Sequence, residues 1–207
     1  MIIDLTVESP RGSRNEYSID RETGRVHLQR TLLTDMVFPA DCGYLDYTLG
    51  TNGEPLTALV LLEESTFPGV AVTVRPVGVL RLTRAAGVEN TIITVPAQDP
   101  HWAATLEITD IAAHTRQSLQ HFFQNYTDPG FGSAVPSDPG SDTGSAMSSD
   151  IGSGAADADT TGTGDTVSGG SGPNDIVTAA EFGSRDEAER LFTTALNAFR
   201  SYDNYES

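Results

Sequence analysis

Side chains able to do chemistry are sparse in this 207-residue chain, and one reactive type is missing. All 12 basic residues are Arg and no Lys occurs, which removes Schiff-base chemistry and the lysine point charge from the repertoire. The single cysteine, Cys42, is a nucleophile or redox sensor if its thiolate is stabilised, and a small buried apolar group if it is not; burial is the simpler expectation. Without a second thiol there is no internal disulfide, as in a cytoplasmic protein. His27, His101, His114 and His121 lack metal-ligand spacing among themselves and read as structural. Trp102 reads as packing beside the Asp99-Pro100 turn. The 29 acidic residues leave a formal charge of -17, which repels phosphate backbones and anionic lipid, so neither nucleic acid nor membrane is an expected partner. No apolar run reaches the roughly 18 residues of a membrane helix, and Met1 to Glu8 alternates like a strand where a targeting leader would be apolar.

These groups must be held by a largely β framework. Ile2 to Glu8, Leu56 to Leu62, Val70 to Leu82 and Thr91 to Val95 are rich in Val, Ile, Leu and Thr, and Glu16 to Asp20 with Arg25 to Leu28 flank a Glu22-Thr23-Gly24 turn. Their short, Gly- and Pro-punctuated spacing predicts a small closed barrel. Leu119, Phe122, Phe123 and Tyr126 repeat at the spacing of one helical face, and Ala188, Leu191, Phe192, Ala195, Leu196, Phe199 and Tyr202 do so again after a Ser184/Glu187 capping box. From Asp128 to Asp175 the chain holds eight Asp, no basic residue and only Phe131 as an aromatic; such a segment predicts a disordered acidic insertion that solubilises the chain or meets a basic partner. The expected organisation is one domain: residues 1-127 as barrel and first helix, 128-175 as the insertion, and 176-207 as the closing helix.

Pro10-Arg11-Gly12-Ser13-Arg14-Asn15 with Tyr17, Asp20 and Glu22-Thr23-Gly24-Arg25 resembles the start of the soluble (family I) inorganic pyrophosphatases of bacteria. Further motifs follow in the same order: Phe38-Pro39-Ala40-Asp41 before Gly43-Tyr44, Thr48-Leu49-Gly50, Asn52-Gly53-Glu54-Pro55-Leu56, Phe67-Pro68-Gly69, Arg75-Pro76-Val77-Gly78-Val79, Val95-Pro96-Ala97, and His121-Phe122-Phe123 with Tyr126. The resemblance implies an OB-like barrel against two main helices, Mg²⁺ as cofactor, and hydrolysis of diphosphate to two phosphates. Such chemistry brings water onto phosphorus amid negative charge, which clustered carboxylates with Mg²⁺ and cationic phosphate grips make possible.

The same resemblance marks a degenerate site. Where the family carries an Asp-Gly-Asp-Pro-x-Asp signature, this chain has Asn52, Glu54 and Thr57. A phosphate-binding lysine position is Glu16 and the acid two further on is Ser18; two tyrosine positions are Phe38 and Cys42. Metal-binding aspartates are replaced by Arg84 and Glu89, and phosphate-gripping lysines by Thr91 and Thr127. Glu8, Arg30 and Tyr126 match. Arg30 and Tyr126 are thus residual phosphate-binding candidates, and Glu54 and Glu89 weak metal-binding ones. Losing one preorganised donor costs about 10²- to 10³-fold in rate, so the expected protein is a catalytically impaired binding or scaffold homologue. It would bind Mg²⁺ weakly or not at all and form a homo-oligomer or join an active relative. The alternative is a weak or redirected phosphate hydrolase using Glu8, Glu54, Glu89, Arg30 and Tyr126. Arg84 and Glu16 have exchanged sign relative to the family, which predicts that Arg84 fills a metal's place and pairs with one or more of Glu8, Glu16, Glu54 and Glu89, carboxylates that its removal would leave uncompensated.

Overall fold

The computed structural model describes residues 1–32, 35–84, 87–126 and 177–206. Thr127 and the expected insertion at 128–175 lie outside them. In chain order the described elements are β1 (Ile3–Ser9), β2 (Asn15–Ile19), β3 (Val26–Thr31), β4 (Asp41–Leu45), β5 (Thr57–Val60), β6 (Ala71–Arg84), β7 (Gly87–Pro96), α1 (Ala113–Asn125), β8 (Val177–Gly183) and α2 (Arg185–Glu206). Single 3₁₀ turns at Pro100–Trp102 and Ile108–Asp110 bridge β7 to α1.

A ring closes because β1 pairs with both β4 and β6, through the order β1-β4-β5-β7-β6. The β5–β7 contact is parallel and the others are antiparallel. Closure demands a tight approach at β4: a Cβ on Gly43 would lie 1.9 Å from the carbonyl oxygen of Thr6. Only glycine fits there. Pro76 cannot donate to a ladder, and the β6–β7 register shifts between Pro76 and Gly78, where a bulge accommodates it. β8 adds antiparallel to β6 outside the ring. The expected hairpin forms, with β2 and β3 as a separate two-stranded sheet and not as staves of the barrel.

Alternation sends side chains to both faces of the ring. Leu59, Leu61, Ile93 and Val95 join Leu119, Phe122, Phe123 and Tyr126 from α1, while Ala58, Val60 and Ile92 join Leu5, Val7, Ala188 and Phe192 of α2. The α1 stripe is therefore core, as are Ala188, Phe192 and Ala195 of the α2 stripe; Leu191, Leu196 and Phe199 are half-buried, and Tyr202, expected on that stripe, is exposed because α2 runs past the edge of the core there. The capping hydroxyl of Ser184 accepts the N–H of Glu187 at 3.3 Å, starting α2 where the capping box predicts. Among the described residues no helix is long and apolar enough to cross a membrane.

Candidate functional site

The β2–β3 hairpin turns two charged side chains toward the end of α1. Glu16 and Arg30 are register partners across it, and the Arg30 Nε donates to Glu16 Oε2 at 2.5 Å. Glu16 is buried, its side chain 7% exposed against 31% for Arg30. The Arg30 guanidinium lies over the Tyr126 ring, 5.3 Å from its centroid. Burial works against the arginine's charge, yet the bonded Glu16 carboxylate, with Tyr126 beside it, outweighs that and holds the guanidinium above its usual pKa. Tyr126 is fixed in turn by stacking on Phe122 at 5.1 Å and by Phe38 at 6.0 Å. Phe38, fully buried, thus packs Tyr126 in place and brings no hydroxyl.

Arg84, at the end of β6, reaches the main chain of the same tyrosine. Its Nε donates to Glu89 Oε2 at 2.9 Å and its Nη2 donates to the main-chain carbonyl of Tyr126 at 3.2 Å. The predicted pairing of Arg84 is present, with Glu89 as partner. Its energetics differ from expectation: the Arg84 side chain is 7% exposed and Glu89 57%. The charge needing compensation is the buried cation, because Glu89 keeps its hydration.

A third arginine answers Glu54. Arg21, in the turn between β2 and β3, donates from Nη2 to Glu54 Oε2 at 2.7 Å and lies 5.5 Å from the centroid of the Tyr44 ring. Sequence reading missed both Arg21 and Tyr44 as neighbours of this site; the available signal was the lack of lysine, which leaves every cationic task to an arginine. Asn52 turns inward on its own loop, accepting the Glu54 N–H at 3.1 Å. Thr57 opens β5 opposite Tyr44. Glu8 accepts the Ile19 N–H at 3.2 Å and so ties β1 to β2. Ser18 takes a bond from the Gln29 amide across the hairpin, and Thr91 is buried opposite Leu80 in the β6–β7 ladder.

Cys42 is fully buried in β4 with its thiol directed at the Ala40 carbonyl, 3.3 Å away. Burial pushes its pKa well up, and the charges of Asp41, Glu8 and Glu16 push it further. A nucleophilic or redox-sensing cysteine needs the opposite environment, so the reading of Cys42 as a reactive thiol fails. Trp102 ends the 3₁₀ turn that Asp99 caps, as its sequence context suggests.

These residues do not fit Mg²⁺. The ion takes oxygen ligands in near-octahedral array, and among the described residues no three of His, Cys, Asp and Glu gather to hold a metal. Glu16, Glu54 and Glu89 each face a guanidinium instead.

The ring with two covering helices defines an OB-like barrel protein, and three arginine–carboxylate pairs occupy the candidate positions. A family model for inorganic pyrophosphatase matches residues 5–149. The chain belongs to the inorganic pyrophosphatase family. It is 50% identical over 125 residues to an inorganic pyrophosphatase of Leifsonia xyli subsp. xyli, covering 60% of this chain and 77% of that one. A Streptomyces coelicolor inorganic pyrophosphatase is 43% identical over 128 residues, 62% of this chain and 78% of the relative. Among solved structures, the Helicobacter pylori inorganic pyrophosphatase superposes with a TM-score of 0.71 at 24% identity, covering 96% of this chain and 94% of that one. The Thermus thermophilus enzyme gives 0.70 at 24%, with 96% and 91% covered. At that identity the structural likeness speaks for the fold.

Proposed function

We propose that this chain is a non-catalytic member of its family, a binding or scaffold homologue that associates with itself or with an active relative. The observation that carries the reading is the pairing of Glu16, Glu54 and Glu89 with Arg30, Arg21 and Arg84. Diphosphate hydrolysis needs carboxylates free to hold divalent cations and cationic groups free to grip phosphate. Here each supplies the other's counter-charge. The weak-hydrolase alternative draws on Glu8, Glu54, Glu89, Arg30 and Tyr126; Glu54, Glu89 and Arg30 are engaged in those pairs, Glu8 accepts the Ile19 N–H, and the Tyr126 ring lies under the Arg30 guanidinium. The proposal includes a single-domain organisation in which α2 packs on β6 after the 128–175 insertion, and a cytoplasmic setting.

A phosphate-release assay on pyrophosphate, across Mg²⁺ and Mn²⁺ concentrations and with the Leifsonia relative as control, tests this directly. Release at the level of a protein-free blank is expected. Turnover within about 10²-fold of the control, the loss that one missing donor produces, would defeat the proposal.

A further inference from the structure

The Arg84 side chain sits where three parts of the chain meet. Its own backbone ends β6 and pairs with Gly87 at the head of β7 and with Val177 at the start of β8. Its guanidinium takes a carboxylate oxygen from Glu89 and the main-chain carbonyl oxygen of Tyr126, the residue that caps α1. Tyr126 and Val177 are the last described residue before the 127–176 segment and the first after it. One buried residue therefore touches both ends of that excursion and the β6–β7 turn.

A carboxylate and a main-chain carbonyl are the ligand types a hard divalent cation takes. A guanidinium takes them through fixed, divergent N–H vectors, stays charged at every accessible pH and tolerates burial better than an ammonium. Arg84 is buried to 7% side-chain exposure while Glu89 remains open at 57%, so the cation is the structural member of the pair and the carboxylate is its counter-ion.

We propose that Arg84 is a built-in cation that fastens the end of α1, the start of β8 and the β6–β7 turn together, making the stability of this corner independent of any divalent metal. This goes beyond the loss of catalysis, because it gives the position a task that selection on the fold alone would keep.

The test is a melting cycle on the full chain: wild type, Arg84→Ala, Glu89→Gln and the double variant, each in EDTA and in millimolar Mg²⁺. Glu89→Gln is expected to lower Tm by only about 2 to 4 °C in the wild-type background, the shift that one weakened charge-assisted bond gives at this chain length, because Gln keeps an acceptor oxygen and the Tyr126 carbonyl still takes the guanidinium. It is expected to change nothing in the Arg84→Ala background, where Glu89 has no cation to serve. Wild-type Tm should be the same with Mg²⁺ as with EDTA, and the Val177 amide should exchange faster in Arg84→Ala. If Arg84→Ala does not fold, Arg84→Gln supplies the background. Equal effects of Glu89→Gln in both backgrounds, unchanged exchange at Val177, or saturable Mg²⁺ stabilisation of the wild type would each overturn the proposal. Pyrophosphate turnover by the wild type would defeat the proposed function while leaving this cycle to stand or fall by itself.

Discussion

The two ion pairs that touch Tyr126 are built with opposite asymmetry. In Glu16–Arg30 the anion is buried and the cation half-open, whereas in Arg84–Glu89 the cation is buried and the anion open. The more buried member of a pair sets its energetics, because an exposed charge left alone recovers its water and a buried one does not. The same two residue types therefore carry different costs in two pairs that meet at one tyrosine. As far as charge alone goes, substitution of the open partner strands a buried charge, whereas substitution of the buried partner leaves an exposed one that recovers its water.

The largest effect expected from this contrast is at Arg30. Arg30→Ala leaves Glu16 buried without its cation and strips the guanidinium from the Tyr126 ring, so stability measured by chemical denaturation should fall by about 3 kcal/mol or more. A loss below about 1 kcal/mol, the range of an exposed pair, would break the comparison. Next comes the Cys42 thiol. Burial and its acidic neighbours raise the Cys42 pKa above the ordinary 9.0, so its contribution is fully present below the unfolded-state value and is lost as pH rises past it. At alkaline pH the wild type should lose stability more steeply than Cys42→Ala, by up to about 1.4 kcal/mol per pH unit, one proton's worth. Parallel pH profiles would show that the thiol ionises freely. Glu16→Gln should cost about 1 kcal/mol, since Gln keeps one acceptor and Arg30 can turn to solvent. Arg21→Ala removes the more exposed partner of Glu54 and should cost about 0 to 1 kcal/mol, marking the surface end of the scale; a cost equal to that of Arg30→Ala would mean burial is not what separates the pairs.

The strand ring was legible where alternation was strong, as in β1, β5 and β7, and both helices were legible from their stripes. Two strands were not. Asp41-Cys42-Gly43-Tyr44-Leu45 contains a charge and a glycine and has no strand propensity to advertise, yet it is β4 because β1 and β5 each offer it a ladder and Gly43 alone allows the approach to Thr6. β8 carries Thr178-Ala179-Ala180-Glu181, a stretch as suited to a helix, and becomes a strand through pairing with β6 about a hundred positions earlier. In the site, the residue types at each position followed from family resemblance, but their partners did not. Nothing in the spacing joins Arg21 to Glu54, 33 positions away, or sends Arg84 to a carbonyl on α1. Such pairings are set by how the hairpin and helix dock on the ring, which is tertiary information.

The late arrival of β8 also sets a clock for synthesis. The far half of β6 stays without its antiparallel neighbour until residues 177–183 emerge, and at about 5 to 20 residues per second the wait from residue 84 is about 5 to 20 s. During that time the nascent chain presents an open strand edge of the kind that pairs with other chains. About half of the delay is spent making the stretch from Asp128 to Asp175, whose eight Asp and absence of basic residues add negative charge to each nascent chain and oppose association between neighbours.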